Sequence, residues 1–157
     1  MLKLTIITVE KPSASHLNAV LQDYIARLAP YCKLTPINIS PAHLPENPSE
    51  AEITKALGVE AKQISKHLSG FSVALCIEGK QQTSEQFAAL LKTAADNHSK
   101  LTFIIGSSYG LSEAVKQKAN LRLSMSAMTF PHKLAKVMLL EQVYRGFTIL
   151  QGKTYHK

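Results

Sequence analysis

The sequence predicts an α/β protein with a mainly parallel sheet and helices on both faces, and three observations lead to this class. Segments typical of strands alternate with segments of helical spacing along the whole chain. Residues 71–77 and 101–105 are nearly continuous apolar runs, which are typical of strands buried on both faces. The chain has 157 residues, 45% of them apolar and 18% charged, which favours one folded domain over residues 1–157.

The five predicted strands are rich in β-branched and apolar residues and are bounded by turn residues. They cover residues 2–9, 33–40, 71–77, 101–105 and 121–124. We expect the third strand to end in a turn at residues 78–80. Cys76 lies within the apolar run of that strand, so we expect it to be a buried free thiol.

Helices are predicted after each strand, where apolar residues recur every three or four positions. They cover residues 16–28, 49–70, 84–94, 112–119 and 131–149. Three prolines between residues 41 and 48 exclude regular structure before the second helix. Ser49 and Glu52 then form the pattern of a capping box, and Ser84 is expected to cap the third helix. Pro131 opens the last helix, in the first turn, where proline is tolerated.

The last helix carries apolar residues on more than one face. They are Leu134, Val137, Met138, Leu139, Leu140, Val143, Tyr144 and Phe147. A helix that is apolar most of the way round is buried, and in so small a protein its second cover can be another subunit. We therefore expect a homodimer, with burial inside a single chain as the alternative.

Charge and composition limit the classes of function. Lys plus Arg number 18 and Asp plus Glu 11, which gives a net charge of +7. This charge suits a polyanion such as RNA or DNA, and a basic surface without a partner is equally compatible. No apolar run approaches the roughly 18–20 residues of a membrane span, and no signal peptide is recognised, so we expect a cytoplasmic protein with no membrane partner. Two cysteines without a CxxC pair and six histidines without ligand spacing predict no metal site.

Open α/β sheets bind ligands at the carboxyl ends of their strands, and three such ends are distinctive. They are residues 75–80, 106–110 and 124–132. The second contains two glycines, but it matches neither a dinucleotide fingerprint nor a P-loop, and an ordinary strand-to-helix turn is the simpler interpretation. The third combines small and apolar residues with exposed amides, which suits an adenine ring; a buried loop packing its methionines is the alternative.

Polar residues on and after the last helix are further candidates for chemistry. His132 lies at the helix N-terminus, where the dipole favours a neutral imidazole that can accept a proton; a surface capping histidine is the alternative. Glu141 and Arg145 are spaced i, i+4, as in a helix-surface ion pair or a pair facing a polar site. Residues 154–157 include groups that stack on bases and contact phosphates, although such a terminus is ordinarily frayed.

Four segments together resemble the small SPOUT-class methyltransferases that modify large-subunit ribosomal RNA. The segments are Gly106-Ser107-Ser108-Tyr109-Gly110-Leu111, Thr129-Phe130-Pro131-His132, Leu140-Glu141-Gln142-Val143-Tyr144-Arg145 and Tyr155-His156-Lys157. The likeness extends over the whole chain. It implies a trefoil-knotted α/β fold, which periodicity alone does not reveal, and an obligate homodimer. It also implies methyl transfer to N3 of pseudouridine 1915 in helix 69 of 23S rRNA, on the assembled ribosome.

The resemblance further implies which residues act. S-adenosylmethionine is expected to lie bent in the knot, bound by Leu75, Gly106, Met125, Ser126, Ala127, Met128, Thr129 and Phe130. The catalytic and RNA-facing residues are expected to be His132, Glu141, Arg145, Tyr155, His156 and Lys157. The tail, residues 151–157, is expected to come from the partner subunit. The imide nitrogen of pseudouridine is a poor nucleophile until its proton is removed, and the sequence leaves His132, Glu141 and His156 open as the base.

Two positions depart from the family pattern. Ser107 stands where the family usually has a second glycine, and Glu10 stands where the first strand usually ends in glycine. If position 10 needs a positive φ, Glu10 is strained. Two other functions remain compatible with the sequence. One is a non-catalytic RNA- or ribosome-binding module that keeps the knotted fold, and the other is a SPOUT methyltransferase with another RNA substrate, such as transfer RNA.

Overall fold

Strand and helix segments alternate in the computed structural model, which describes all of residues 1–157. The strands are β1 (Leu2–Val9), β2 (Cys32–Ile39), β3 (Phe71–Lys80), β4 (Lys100–Ile105) and β5 (Leu121–Leu123). The helices are α1 (Leu17–Leu28), α2 (Glu50–Ser65), α3 (Ser84–His98), α4 (Glu113–Lys118) and α5 (His132–Leu150). All strands are parallel and form one sheet in the order β2-β1-β4-β3-β5. The predicted α/β class is therefore confirmed.

The two faces of the sheet form separate cores because side chains alternate along each strand. Leu4 and Ile6 of β1 belong to a cluster of 18 buried residues, to which α1, α3 and α5 contribute. Ile7 and Val9 point the other way and belong to a cluster of 8 buried residues that includes side chains of α2 and α4. Helices thus cover both faces, as the sequence predicts.

Helix α5 packs on one face of the sheet, between α1 and α3. Leu139, Leu140 and Val143 on its inner side are fully buried. Gly146 marks the closest approach to α3, because a Cβ there would lie 2.6 Å from Cδ1 of Leu91. The long apolar helix is therefore packed closely against α3, and its two ends lie at two different places on the surface. No helix of the chain is both long enough and apolar enough to span a bilayer.

The end of β3 differs from the sequence prediction. The strand continues through residues 78–80, so the turn predicted there is wrong. Gly79 permits this continuation, because a Cβ would lie 2.7 Å from the backbone of Arg122 and Leu123 in the neighbouring β5. The end of the strand is exposed, and Cys76 is half-buried where a buried thiol was expected. This extension lies next to the loop that follows β5.

Helix boundaries follow the capping residues. Ser49 and Glu52 form the predicted capping box of α2, with both reciprocal hydrogen bonds present. The helix ends at Ser65, several residues before the predicted end near residue 70. Thr83 caps α3 in a second capping box, so the prediction that Ser84 is the cap is wrong by one residue.

Candidate functional site

The carboxyl ends of β4, β3 and β5 meet at one edge of the sheet, and this edge gathers the expected cofactor-binding residues. Ala74 of β3 pairs with Ile104 of β4, and Leu75 pairs with Leu123 of β5. Gly106 follows β4 directly, and the loop of residues 124–131 follows β5. Parallel strands therefore bring together Leu75, Gly106 and this loop, as expected for a ligand site in an open α/β sheet.

The loop after β5 carries backbone donors that the protein itself does not use. Ser126 stabilises the loop, because its carbonyl accepts a hydrogen bond from the Ser124 hydroxyl at 3.0 Å and its Oγ accepts from the Met128 amide at 3.0 Å. The backbone amides of five loop residues donate to no group of the chain: Met125, Ser126, Ala127, Thr129 and Phe130. The Met128 side chain is 73% exposed. Free amides beside an apolar side chain suit a ligand with a flat ring and polar edges.

The turn of residues 106–110 has room for glycine alone at its first position. A Cβ on Gly106 would lie 2.3 Å from the carbonyl oxygen of Gly110. Gly110 has a φ of +82° and donates its amide to the Ser107 carbonyl at 2.8 Å. Ser107 has no positive φ and is half-buried, so this departure from the family pattern fits the turn without backbone strain. The turn and the loop of residues 124–131 both lie at the carboxyl edge of the sheet, after β4 and β5 on either side of β3.

A buried carboxylate lies next to the start of α5, and we call Glu10, His132 and Lys136 the Glu10 cluster. The Glu10 side chain is 4% exposed; its Oε2 lies 3.6 Å from Nε2 of His132 and its Oε1 lies 3.7 Å from Nζ of Lys136. Oε2 accepts no hydrogen bond. Position 10 has no positive φ, so the strain expected for Glu10 is absent. Burial lowers the pKa of Lys136, and the nearby Glu10 carboxylate partly offsets this effect.

A polar cleft of about 400 Å³ opens beside the Glu10 cluster. Glu10 and Lys136 line it, together with Lys133 from the first turn of α5. Lys133 also contacts the other side of the cleft. Its Nζ donates to the Ser13 carbonyl at 2.7 Å and to Oδ1 of Asn18 at 3.1 Å. The start of α5 therefore joins the edge of the sheet to the segment between β1 and α1.

The other end of α5 holds a second polar group, which we call the tail cluster: Tyr24, Glu141, Arg145, Tyr155 and His156. Both oxygens of the Glu141 carboxylate are used. Oε1 accepts from Arg145, at 2.8 Å from Nε and 2.6 Å from Nη2. Oε2 accepts from the hydroxyls of Tyr24 at 2.9 Å and Tyr155 at 2.8 Å. The i, i+4 pair thus faces a polar site and is not an isolated surface ion pair.

The C-terminal tail is folded back onto its own helix. The Arg145 guanidinium lies 4.8 Å from the centre of the Tyr155 ring, and that ring packs edge-on against Tyr144 at 4.9 Å. Nδ1 of His156 lies 3.3 Å from Nη1 of Arg145 and Nε2 lies 2.8 Å from Oε1 of Glu85. Since an arginine can only donate, Nδ1 accepts and Nε2 donates. The tail is therefore held by named contacts, whereas a frayed terminus is the usual case.

Two phenols of the tail cluster have shifted titrations. Burial, reinforced by the hydrogen bond to Glu141, raises the pKa of Tyr24 to about 12. The same two causes raise the pKa of Tyr155. Both hydroxyls therefore stay protonated and continue to donate to the carboxylate well above neutral pH. Lys157, beyond them, is exposed and makes no ion pair.

Within one chain, the two ends of α5 are far apart. His132 precedes Glu141 by nine residues and Arg145 by thirteen, which is about 14 and 20 Å along a helix at 1.5 Å per residue. His132 thus lies directly after the loop of residues 124–131, and the helix separates it from Glu141, Arg145, Tyr155, His156 and Lys157. No three His, Cys, Asp or Glu side chains are grouped as a metal site would require.

Sequence reasoning missed four contributors to these clusters: Glu10 as a contact of His132, Lys136, Tyr24 and Glu85. One signal for Lys136 was present, because His132 and Lys136 are spaced i, i+4 and must share one side of a helix. The contact between Tyr24 and Glu141 spans 117 residues of sequence, and no local pattern reveals it.

Comparison with known proteins places the chain among RNA-modifying relatives. A family model described as a predicted SPOUT methyltransferase matches residues 2–156. A ribosomal RNA large subunit methyltransferase H from Clostridium botulinum is 43% identical over 99% of this chain and 100% of its own length. Proteins of the same name from Leuconostoc mesenteroides and Carboxydothermus hydrogenoformans are each 40% identical over the same shares.

Solved structures with little sequence identity share the fold. A probable methylase family protein from Haemophilus influenzae is 13% identical, with a TM-score of 0.57 over 100% of this chain and 72% of its own. The SpoU methyltransferase AviRb from Streptomyces viridochromogenes, solved in complex with the cofactor AdoMet, is 14% identical. Its TM-score is 0.51 over 94% of this chain and 61% of its own.

Proposed function

We propose that this chain, which belongs to the SPOUT methyltransferase family, transfers a methyl group from S-adenosylmethionine to large-subunit ribosomal RNA, at N3 of pseudouridine 1915 in helix 69. The observation that carries the proposal is the loop of residues 124–131, whose free amides lie at the same carboxyl edge of the sheet as Gly106. The names of relatives that align over their full length support the RNA substrate. The proposal includes the trefoil knot and action on the assembled ribosome in the cytoplasm.

The residues present fit the cofactor. The five free amides among residues 125–130 can hold the polar edge of an adenine ring, and Leu75 and Met128 can cover apolar surface. Gly106 leaves bare backbone at this edge of the sheet, since any side chain there would collide with the turn of residues 106–110. When bound, S-adenosylmethionine supplies an electrophilic methyl group on a positively charged sulfur, so the protein must orient the reactants and remove one proton.

His132 is the best placed of the three candidate bases. Both oxygens of Glu141 are occupied by donors, and both ring nitrogens of His156 are engaged by Arg145 and Glu85. The His132 ring makes no hydrogen bond and lies next to the cofactor loop. We assign it the task of accepting the N3 proton of pseudouridine. Glu10, 3.6 Å away, can stabilise the imidazolium that results.

The tail cluster serves the active site of the partner subunit in this proposal. Arg145 lies about 20 Å from His132 along its own helix, which is too far for both to act on one base. A homodimer that places one α5 against the other can bring the tail of one chain to the cofactor loop of its partner. Arg145 and Lys157 would then offset the negative charge that develops on the deprotonated base, and Tyr155 would hold that base out of its stack.

The deciding experiment is transfer of labelled methyl from S-adenosylmethionine to ribosomes that lack the helix 69 methyl mark. Free 23S RNA and transfer RNA are assayed in parallel. We expect label on the ribosome alone, mapped to the pseudouridine. Label on transfer RNA would give the protein another substrate. No label on any RNA, from a folded dimer that fails to bind S-adenosylmethionine, would leave a non-catalytic RNA-binding module.

A further inference from the structure

Three adjacent strands carry the same tripeptide at or next to their first residue. Lys-Leu-Thr occurs at residues 3–5 in β1, 33–35 in β2 and 100–102 in β4. The strand pairing aligns the three copies in register, so Lys3 lies directly between Lys33 and Lys100. The leucines point into the large core with α1 and α5. The three lysines therefore project together on the other face, and we call Lys3, Lys33 and Lys100 the lysine row.

The lysine row is uncompensated and open. All three lysines are exposed, and none forms an ion pair or a side-chain hydrogen bond. Together with Thr5, Thr35 and Ser69 they line a cleft of about 200 Å³ that has no hydrophobic residue. Like charges on directly opposite positions of neighbouring strands destabilise a sheet. A row of three such charges without a counter-charge is arranged for an anion.

Helix coverage explains why the cleft stays open. Side chains of α2 and α4 pack on Ile7 and Val9, which lie in the carboxyl half of β1. The amino half of the same face shows the lysine row and the threonines that follow it. Thr102 joins this surface to the segment before β3, because its hydroxyl donates to the Ser69 carbonyl at 2.9 Å. The uncovered half of this face is thus built from cations and hydroxyl groups.

We propose that the lysine row binds the phosphate backbone of RNA. Neighbouring strands are about 4.8 Å apart, so the row spans about 10 Å, and its three ammonium groups can contact about three phosphates of one RNA strand. Lysines and hydroxyls are common phosphate contacts, and the absence of aromatic side chains removes the means of reading bases. The partner class rests on the proposed function, which makes ribosomal RNA the substrate. The lysine row extends the proposed function, because it adds a contact to RNA that does not depend on sequence and lies away from the reacting base.

The lysine row lies at the edge of the sheet opposite the cofactor loop. Lys3 and Glu10 are separated by the length of β1, about 23 Å at 3.3 Å per residue. A contact at this distance holds flanking RNA and does not touch the reacting base. It helps to orient a large substrate on a small protein that must recognise RNA with its own surface. Loss of the row should therefore raise the KM for ribosomes and leave kcat unchanged.

The test compares two triple variants of equal charge. Lys3→Gln/Lys33→Gln/Lys100→Gln removes the row, and Lys55→Gln/Lys62→Gln/Lys118→Gln removes three exposed lysines of α2 and α4. Each lowers the net charge from +7 to +4, since 7 − 3 = 4. The probe is a fluorescein-labelled single-stranded RNA, bound at several salt concentrations. For three phosphates at about 0.7 each, the slope of log K against log salt should fall by about 2 in the row variant and stay unchanged in the control.

Several outcomes would overturn this inference. An unchanged slope in the row variant would show that the row does not contact phosphates. An equal fall in both variants would show that the effect depends only on net charge. A change in oligomeric mass of the row variant by sedimentation would make the row a contact between copies of the chain. Folding is checked by thermal melting, where the row variant should be at least as stable as the wild type, because like-charge repulsion is removed.

The same preparation separates this inference from the proposed function. Binding of S-adenosylmethionine and methyl transfer to ribosomes are measured for the wild type. If the wild type transfers methyl and the salt slope is unchanged in the row variant, the phosphate site is refuted and the proposed function stands. A lowered slope without methyl transfer to any RNA would refute the proposed function and leave the phosphate site standing.

Discussion

The two ends of α5 hold a carboxylate charge in opposite ways. In the tail cluster, both oxygens of Glu141 accept hydrogen bonds, from Arg145 and from two tyrosines. In the Glu10 cluster, one carboxylate oxygen accepts nothing, and the nearest cations are 3.6 and 3.7 Å away. Buried polar groups are normally satisfied, so an unsatisfied one indicates a place where water or a ligand completes the site.

This difference indicates which end of α5 already has all its polar contacts before a substrate binds. The tail cluster is ordered by its own contacts, so it can present Arg145 and Tyr155 as a preformed surface. The Glu10 cluster keeps an unused acceptor beside His132 and beside a cleft, so it has capacity for a further donor. A preformed end and a receptive end on one helix are what the proposed homodimer requires, in which each end would meet the other end of a second copy.

The largest expected effect comes from mixing two inactive variants. One carries His132→Ala, and the other ends at Thr154 and lacks the last three residues. Each homodimer should lose nearly all methyl transfer. If the tail acts on the partner subunit, a heterodimer has one intact site of two, and half of randomly mixed dimers are heterodimers, so about a quarter of the wild-type activity returns.

The control for the mixing experiment is a 1:1 mixture of two preparations that carry the same defect, which should stay inactive. Mixing is done by denaturing and refolding the two variants together, and methyl transfer to ribosomes is the measurement. Failure to recover any activity, with heterodimers demonstrated by mass, would place the tail and His132 in the same chain. The two ends of α5 would then belong to separate sites.

The next largest effect concerns the charge balance of the Glu10 cluster. Lys136→Met leaves a buried carboxylate without its ammonium neighbour and should lower the free energy of unfolding by about 3 kcal/mol. Adding Glu10→Gln removes the orphaned charge, so the double variant should recover at least half of the loss. Urea unfolding of the wild type, both single variants and the double variant gives the coupling energy.

Glu60 provides the matched control for this cycle. It is 4% exposed like Glu10, and one of its carboxylate oxygens also accepts no hydrogen bond, but its other oxygen accepts from the Ala42 amide at 2.9 Å. It contacts no lysine of α5. The effects of Glu60→Gln and Lys136→Met should therefore add, with no coupling. Equal coupling for both glutamates would show that the Glu10 cluster has no specific pairing.

Local signals explain the parts of the fold that the sequence predicts. The capping box at Ser49 needs only residues three apart, and the structure confirms it. The gathering of Leu75, Gly106 and the loop of residues 124–131 follows from a general property of parallel strands, so it was also predictable. Element order and the carboxyl-edge site thus depend on patterns that lie within a few residues of each other.

Contacts between distant segments explain what the sequence does not reveal. The extension of β3 depends on a neighbour more than forty residues later, whose backbone tolerates only glycine at position 79. Glu10 and His132 are 132 − 10 = 122 positions apart, and Tyr24 and Glu141 are 117 apart. Their polar pairing follows from how α5 docks on the sheet. A residue that seemed to threaten strain at the end of β1 is in fact a buried partner of α5.

A smaller effect distinguishes the tail cluster by its response to pH. Tyr24→Phe removes one donor to Glu141 and should lower the free energy of unfolding by about 1 kcal/mol near pH 8. The pKa of Tyr24 is raised from 10 to about 12 in the folded protein. Its stabilising contribution is therefore fully present below pH 10 and is lost as pH rises towards 12. The difference between the wild type and the variant should shrink over that range.

Tyr109→Phe is the control for this pH dependence. Tyr109 is 48% exposed and its hydroxyl makes no hydrogen bond, so its replacement should change stability by the same small amount at every pH. Urea unfolding at pH 8 and pH 11 gives both comparisons. If the difference in unfolding free energy between the wild type and Tyr24→Phe stays constant with pH, the hydrogen bond from the Tyr24 hydroxyl to Glu141 does not stabilise the protein. The tail cluster would then not be the closed network that the contacts describe.

The smallest effect is expected where the tail meets solvent. Glu85 accepts from His156 at 2.8 Å, but its side chain is 63% exposed, and exposed ion pairs add little to stability. A backbone hydrogen bond lowers the pKa of Glu85 first, and His156 adds to this effect. Glu85→Gln should leave the free energy of unfolding unchanged within error, while NMR of the His156 ring shows a changed environment.

If this variant instead destabilised the protein as much as Tyr24→Phe, the tail would be held chiefly from α3. The contrast between a closed network on α5 and an open one at its other end would then lose its basis.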